Sequence, residues 1–234
     1  MKKDIIKFIE ENKIIAICRG IYGEKLLQLV DALYAGGVKL VEVTFDQNDE
    51  KCIEKTSEAI SAIVSKFNDK VKVGAGTVVK PSQVFAAKNA GAEYILSPNA
   101  DTEIVRIANE LDLVTIPGAM TPTEILSAHN AGADFVKLFP AATLGFKYIK
   151  DILGPINNVK FIATAGVTPE NLRDFLNLGF VGAGISNYLT NKNMINEGNF
   201  ETLTNHAREL VEIVNGKWYI KFAERMDVGW RIFW

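Results

Sequence analysis

Lys137 is the residue of this chain whose surroundings most favour covalent chemistry. It lies in the middle of a short apolar run, residues 135–141, which reads Phe-Val-Lys-Leu-Phe-Pro-Ala. An ordinary lysine has a pKa of about 10.4, and burial lowers this pKa because the ammonium group loses its hydration. A neutral amine can attack a ketone and form a Schiff base when a nearby acid or base moves the protons. Lys137 is therefore a candidate nucleophile; the alternative is a strand lysine that extends along the outer surface into water.

Other polar residues occupy late positions in predicted apolar strands, namely Arg19, Glu42, Thr77 and Thr164. Because side chains alternate between the two faces of a strand, three of these groups continue apolar rows that are predicted to face the interior. A charge on such a row is costly unless it is paired, so we expect Arg19, Glu42 and Lys137 to meet and to satisfy one another. An active site and a buried ion-pair network without catalysis both fit this pattern. The rows are Ile15, Ile17 and Arg19; Leu40, Glu42 and Thr44; and Val73, Ala75 and Thr77.

The elements that position these groups follow from a regular alternation along the chain. Eight apolar, β-branched segments are separated by amphipathic helical segments. The predicted strands are residues 14–19, 38–45, 71–78, 92–98, 113–120, 135–141, 160–167 and 180–186. Strands that are apolar on both faces are typical of a parallel sheet covered by helices.

Eight such strands at this length predict an α/β protein with a single-domain (β/α)8 TIM barrel over residues 1–214. The other candidate is an open doubly wound sheet, which is disfavoured because no glycine-rich dinucleotide fingerprint follows the first strand. In a barrel the active site lies at the C-terminal ends of the strands, where the polar residues above occur.

Composition argues against several classes of partner. The 234 residues carry a net charge of -2 with a pI near 5.8, so no nucleic-acid partner is indicated. Cys18 and Cys52 are the only cysteines, which favours a reducing cytoplasm without disulfides. No apolar targeting segment or membrane-spanning run is present, so we expect a cytoplasmic protein with no membrane partner. His129 and His206 lack ligand spacing, so neither a metal nor another cofactor is expected.

Several motifs occur in an order that resembles a known enzyme family. They are Glu-Val-Thr at residues 42–44, Gly-Ala-Gly-Thr at 74–77, Leu-Ser-Pro at 96–98 and Lys-Leu-Phe-Pro-Ala at 137–141. Over roughly residues 10–214 the chain is similar to the class I aldolases of 2-keto-3-deoxy-6-phosphogluconate (KDPG) and 4-hydroxy-2-oxoglutarate (KHG). This resemblance implies a lysine-dependent lyase that cleaves a 2-keto acid into pyruvate and an aldehyde.

The resemblance also implies roles for individual residues. Lys137 falls on the family's Schiff-base lysine, and Glu42 falls on its general acid/base. Thr77 falls on a threonine that helps to hold the substrate carboxylate, and Pro98 and Phe139 are the implied further contacts to the substrate. The implied partners are a small 2-keto acid substrate and further copies of the chain in a homotrimer.

Two departures from the family pattern concern the anionic ends of the substrate. Many members read Glu-Val-Thr-Leu-Arg-Thr, whereas residues 42–47 here read Glu-Val-Thr-Phe-Asp-Gln and lack the arginine that contacts the carboxylate. Arg19 is the expected replacement, and it can serve either the carboxylate or the phosphate. The family's Pro-Thr-Gly-Gly is Ala-Thr-Ala-Gly at residues 163–166, and the methyl group of Ala165 is expected to alter the approach of a phosphate.

The last two strand ends form the predicted phosphate site, since barrels commonly bind phosphate there through turn N–H groups. The candidate substrate-binding residues are Thr164, Gly166, Gly184 and Ser186, whose hydroxyl adds a donor. Tight packing alone is the alternative explanation of the glycines.

An aromatic C-terminal extension, residues 215–234, follows the region of resemblance. We expect it to pack on the barrel or at a subunit interface, since so many aromatic side chains seldom remain in water. An aldolase is the main hypothesis for function. The alternatives are a barrel retained for assembly or ligand binding without turnover, and a phosphate-binding isomerase or epimerase in which Lys137 has no role.

Overall fold

The sheet consists of nine parallel strands in the order β5-β4-β3-β2-β1-β9-β8-β7-β6. The computed structural model describes residues 2–216, and each of the eight predicted strand segments contains at least one of these strands. The observed strands are shorter than predicted. They are β1 (Ile14–Cys18), β2 (Leu40–Thr44), β3 (Lys72–Gly76), β4 (Tyr94–Leu96), β5 (Val114–Ile116), β6 (Gly118–Ala119), β7 (Val136–Leu138), β8 (Phe161–Thr164) and β9 (Gly182–Ile185).

Helices alternate with the strands and cover the outside of the sheet. Capping follows the sequence closely: Thr121 and Glu124 form a reciprocal capping box, and a proline occupies the next position, where a missing N–H is harmless. The helices are α1 (Lys2–Asn12), α2 (Gly23–Ala35), α3 (Cys52–Phe67), α4 (Pro81–Asn89), α5 (Thr102–Glu110), α6 (Pro122–Asn130), α7 (Ala141–Leu153), α8 (Pro169–Asn177), α9 (Lys192–Asn196) and α10 (Phe200–Val214), with a 3-10 turn at Asn68–Lys70.

The sheet closes into a barrel through the segment that contains Pro117. Proline has no N–H to donate, and the predicted fifth strand is accordingly split into β5 and β6, the two ends of the strand order. The chain at β7 bonds to both halves: Phe135 N, just before β7, donates to Thr115 O of β5 at 3.2 Å, and Phe139 N, just after β7, donates to Ala119 O of β6 at 3.1 Å. The nine strands therefore occupy eight positions around the barrel, which confirms the predicted fold.

The barrel interior at the N-terminal ends of the strands is filled by an apolar cluster. Helix α1 closes this end, because its Ile5 and Ile9 pack into the cluster. The single polar atom that Tyr94 brings into this layer is satisfied, since its hydroxyl donates to Val41 O at 2.7 Å. The other buried residues of the cluster are Ile15, Leu40, Tyr94, Leu96, Val114, Ile116 and Ile162 of the strands, and Phe135 just before β7.

The predicted inward row of β3 is wrong. Val73 and Ala75 belong to the outer core beneath the helices, whereas Gly74 and Gly76 lie on the inner side. A Cβ at Gly74 would lie 2.2 Å from the Tyr94 ring, so the interior has no room for a side chain there. The predicted alternation reversed the two faces because it followed apolar character, while this strand turns its glycines inward to admit its neighbours' large side chains.

The predicted extension lies largely outside the described residues, which end at residue 216. In the part of the chain that the structure describes, no helix has the length and apolar character to cross a membrane.

Candidate active site

The predicted polar residues converge at the C-terminal ends of the strands. Glu42 lies on β2 and Lys137 on β7, while Arg19 and Thr77 immediately follow β1 and β3, and Thr164 is the last residue of β8. Arg19 influences the pKa values of both Glu42 and Lys137, so the three charges share one site as expected.

Lys137 is buried at the barrel mouth with only 6% of its surface exposed. Burial lowers the pKa of its ammonium group, the charge of Arg19 lowers this pKa further, and the charge of Glu42 opposes the shift. Its Nζ lies 5.2 Å from the centre of the Phe139 ring. The amine is therefore neutral at a lower pH than an ordinary lysine, which is the property that a nucleophilic amine needs.

Glu42 is the buried carboxylate of the site, with 3% of its surface exposed. Burial raises its pKa, and the positive charges of Lys137 and Arg19 oppose that rise. Its Oε2 has no hydrogen-bond partner among residues 2–216. A carboxyl group with a raised pKa is suited to exchange protons near neutral pH.

Gly76 makes room for this carboxylate. Glu42 of β2 pairs with Gly74 of β3, and Gly76 lies two residues after Gly74 on the same face of β3. A Cβ at Gly76 would lie 1.7 Å from Glu42 Oε1, which is a severe clash. Sequence reasoning missed this dependence, although two glycines at alternate positions opposite a charged residue are a recognisable signal.

Two buried threonine hydroxyls at the mouth also lack a partner within the described chain, those of Thr44 and Thr164. Buried polar atoms are nearly always hydrogen-bonded in folded proteins. Together with Glu42 Oε2 they are groups that a substrate can engage. No ion pair joins any two of the described residues Arg19, Glu42 and Lys137, and these charges influence one another only at longer range, which argues against a purely structural ion-pair network.

A cleft of about 350 Å³ lies over the ends of β1, β8 and β9. Six of the predicted site residues line it, and a Cβ at one of them, Gly184, would lie 2.9 Å from Thr164 Oγ1. Asn187 and Tyr188 line it as well and were not predicted. The six predicted residues are Arg19, Phe139, Thr164, Gly166, Gly184 and Ser186.

The turn after β8 keeps a left-handed backbone despite its alanine. Ala165 has φ 73° and Gly166 has φ 75°, and Ala165 O accepts a hydrogen bond from Ala142 N at 3.1 Å. A Cβ at Gly166 would lie 2.4 Å from Ala142 Cβ, so only glycine fits there. The methyl group of Ala165 therefore leaves the turn conformation in place, at the cost of some backbone strain.

Four predicted site residues do not line this cleft, namely Lys137, Glu42, Thr77 and Pro98. Thr77 has φ 56°, and its carbonyl accepts a hydrogen bond from Gln47 Nε2 at 2.9 Å. Gln47 Oε1 in turn accepts from Nε2 of the buried Gln83 at 3.0 Å. Gln47 thus tethers the turn that carries Thr77, a role that the sequence did not reveal.

The position of the missing arginine is Asp46, which is exposed and whose Oδ1 accepts a hydrogen bond from Asn48 N at 3.1 Å. It supplies no positive charge to the site. Arg19 is exposed at the mouth, and its positive charge lowers the pKa of Lys137.

The two histidines are engaged with protein groups. His129 Nε2 lies 3.3 Å from Asn158 Nδ2, and His206 Nδ1 lies 2.9 Å from Tyr188 O. Among residues 2–216 no group of three potential ligands is arranged to hold a metal ion.

Comparison with known proteins shows the family to which this chain belongs. The family model for KDPG and KHG aldolases matches residues 5–206. The chain belongs to this aldolase family. It is accordingly an aldehyde-lyase of the lysine-dependent, class I type, and Lys137 holds the position of the lysine in the Lys-Leu-Phe-Pro-Ala motif.

Individual relatives of this aldolase support the assignment. The chain is 36% identical to the 2-dehydro-3-deoxy-6-phosphogalactonate aldolase of Escherichia coli over 75% of its own length and 83% of the relative's. It is 34% identical to the KHG/KDPG aldolase of the same organism, over 81% and 86% of the two chains. The structure of a Legionella pneumophila KDPG aldolase with pyruvate captured as a covalent carbinolamine matches with a TM-score of 0.77 and 26% identity, over 87% and 96% of the chains.

Proposed function

We propose that this aldolase cleaves a 2-keto-3-deoxy sugar acid phosphate of the KDPG type, or 4-hydroxy-2-oxoglutarate, into pyruvate and glyceraldehyde 3-phosphate or glyoxylate. The observation that carries the proposal is the pair of buried, oppositely shifted groups at the barrel mouth. Burial lowers the pKa of Lys137 and raises that of Glu42. Both shifts bring the groups toward the protonation states that an amine nucleophile and an acid/base need near neutral pH.

The reaction begins when the neutral amine of Lys137 attacks C2 of the keto acid. Loss of water gives an iminium ion, which withdraws electrons from C3. Glu42 takes the proton of the C4 hydroxyl group, and the C3–C4 bond breaks. The electron pair of that bond forms the C2=C3 double bond of an enamine, the iminium nitrogen takes up the C=N electron pair, and the aldehyde departs. Protonation of C3 and addition of water to the imine then release pyruvate and restore Lys137.

The remaining site residues orient the substrate. In this proposal Arg19 and Thr77 hold the carboxylate, the guanidinium through a bidentate pair. The apolar contacts come from Pro98 and Phe139, whose ring lies beside the Lys137 amine. The unpartnered hydroxyl of Thr164 binds a substrate hydroxyl.

Phosphate binding is assigned to the turns that follow β8 and β9. Gly166, Gly184 and Ser186 line the same cleft as Arg19. The left-handed turn at Ala165 and Gly166 supports this role, since successive turn N–H groups form anion-binding concavities.

Borohydride trapping with pyruvate tests the proposed function. Reduction of an imine should add the mass of a reduced pyruvyl group to Lys137, located by peptide mass spectrometry. The control is Lys147, a lysine with 90% of its side chain exposed, which should stay unmodified under the same conditions. Absence of an adduct on Lys137 would favour a barrel without turnover, or an isomerase or epimerase.

We also propose a homotrimer located in the cytoplasm. Apolar side chains are exposed at Phe85 on α4, Leu126 on α6 and Met120 before α6, and their burial between subunits would be favourable. The two cysteines, Cys18 and Cys52, are both free, as is usual in a reducing compartment. Sedimentation at micromolar concentration should give three subunits, and a monomer would contradict the assembly.

A further inference from the structure

A second cleft lies on the side of α9 and adjoins the active-site cleft, which is the cleft over the ends of β1, β8 and β9. It measures about 320 Å³ and shares Arg19, Ser186 and Asn187 with the active-site cleft. Its remaining lining comes from the segment that begins α9, residues 190–193. A ligand in the active-site cleft can therefore extend past Ser186 into this second cleft.

The second cleft concentrates positive charge without a counter-charge. Its lining includes Arg19 and Lys192 but no carboxylate, and the other side chains are hydroxyls and amides. Neither cation forms an ion pair with an acidic side chain among residues 2–216, whereas seven other lysines of that range do, among them Lys55 and Lys147. Cations gathered in a cleft attract anions and raise their local concentration.

The ammonium group of Lys192 lies beside the chain turn after β1. Gly20 directly follows Arg19, has φ 64°, and offers no side chain on the surface that Lys192 covers. A Cβ at Gly20 would lie 3.2 Å from Lys192 Nζ. The absence of a side chain at Gly20 thus leaves room for the Lys192 ammonium group beside this turn.

The segment that carries Lys192 is anchored to the active site. The Thr190 hydroxyl can donate to either of two backbone carbonyls, since its Oγ1 lies 2.9 Å from Ile17 O and 3.0 Å from Ser186 O. Asn191 caps α9, since its Oδ1 accepts from Asn193 N at 3.0 Å and from Met194 N. The base of the Lys192 side chain is therefore fixed relative to β1 and Ser186.

We propose that Lys192 is a specificity-determining residue that binds the distal phosphate of the sugar acid substrate, with Arg19 and Ser186 at the boundary of the two clefts. This inference rests on the proposed function and deepens it. A phosphate dianion lies at the end of the substrate opposite the carbonyl and the carboxylate that Arg19 holds, and Lys192 supplies a cation at that phosphate end. The shorter 4-hydroxy-2-oxoglutarate ends in a carboxylate that carries one charge fewer.

The test compares Lys192→Met with Lys192→Arg and with Lys25→Met. Lys25 contacts the other end of α9, where its Nζ donates to Asn196 Oδ1 at 3.0 Å, but it lines neither cleft. For Lys192→Met we expect KM for the KDPG-type substrate to rise roughly tenfold, as for loss of one charge-assisted contact, with kcat nearly unchanged. The ratio of kcat/KM for this substrate over that for 4-hydroxy-2-oxoglutarate should fall by a similar factor, Lys192→Arg should restore it, and Lys25→Met should behave as the unsubstituted protein.

Salt provides a second readout, because a contact made by an exposed cation is screened. The difference in KM between Lys192→Met and the unsubstituted protein should shrink as the ionic strength rises. An equal loss for both substrates would overturn the proposal, since it would show a general field and no specific contact. An unchanged KM in Lys192→Met would also overturn it.

Pyruvate trapping separates this proposal from the proposed function. If Lys192→Met and the unsubstituted protein both form the Lys137 adduct and have the same KM, the Lys192 proposal fails and the aldolase mechanism stands. If neither forms the adduct, the mechanism itself fails.

Discussion

The two ends of the barrel interior are built from the same strands and differ in almost every physical property. At the N-terminal end, Ile15, Leu40 and Phe135 pack with Ile9 of α1 into a closed apolar layer. Two residues beyond Leu40 and Phe135 lie Glu42 and Lys137, which are buried beside polar atoms that have no hydrogen-bond partner among residues 2–216. The closed end stabilises the fold, while the open end keeps destabilising groups that perform the chemistry.

Lys137→Met should abolish aldol cleavage and pyruvate trapping, because the covalent path needs the amine. Steady-state assays with both substrates and mass spectrometry measure the loss. Lys147→Met, on the exposed face of α7, is the matched control and should retain full activity. Turnover by Lys137→Met would show that the imine is not on the path.

Glu42→Gln should keep the imine with pyruvate but slow cleavage by on the order of 10²–10⁴-fold, because the amide cannot exchange the proton. Single-turnover cleavage and borohydride trapping on the same sample separate the two steps. If cleavage stays at the unsubstituted rate, Glu42 has only a structural role and is not the acid/base of the open end.

Ile15→Ala probes the closed end on the strand that leads to Arg19. Removing this fully buried side chain should lower the free energy of unfolding by about 2–5 kcal/mol. The kcat of the folded fraction should change little, since the layer lies below the site. Urea denaturation measures the stability, and assays at urea concentrations well below the denaturation midpoint measure kcat. A large fall in kcat with little loss of stability would contradict the distinction between the two ends.

Arg19→Ala should weaken the binding of pyruvate by roughly 1.5–3 kcal/mol if the guanidinium holds the carboxylate. It should also move the acid limb of imine formation to higher pH. The charge of Arg19 lowers the pKa values of both Lys137 and Glu42, so its removal raises both, and the neutral amine and the carboxylate are then lost at a higher pH as acid is added. The trapping rate with pyruvate as a function of pH gives both effects.

If Arg19 holds the phosphate instead, pyruvate affinity should not change and the phosphorylated substrate alone should bind more weakly. No change with either substrate would show that Arg19 lies outside the site.

The double variant Glu42→Gln/Lys137→Met should be more stable than the unsubstituted protein at pH 7, by on the order of 1 kcal/mol or ~2–4 °C in Tm. The folded pKa of Glu42 is raised above 4.5, so its ionisation opposes folding as pH rises through that range. The Glu42 share of the gain should therefore vanish as pH falls toward 4.5. Calorimetry across pH measures this, and a lower Tm at pH 7 would mean that the two groups stabilise the open end.

Much of the barrel and the identity of the two central groups could be predicted from the sequence alone. The alternation of apolar and amphipathic segments predicts parallel strands under helices, because only that arrangement buries strands on both faces. Lys137 and Glu42 could be recognised because each interrupts an apolar strand, and their motifs match the family.

Only the tertiary structure decided which face of β3 points inward and what each strand end contacts. Gly74 and Gly76 face the interior because the Tyr94 ring and the Glu42 carboxylate occupy the space that side chains would need, and those neighbours come from other strands. The tether from Gln47 to Thr77, and the approach of Lys192 to the turn after Arg19, likewise join residues far apart in the chain. Local pattern determines the elements, whereas the register and closure of the barrel determine which side chains meet at its mouth.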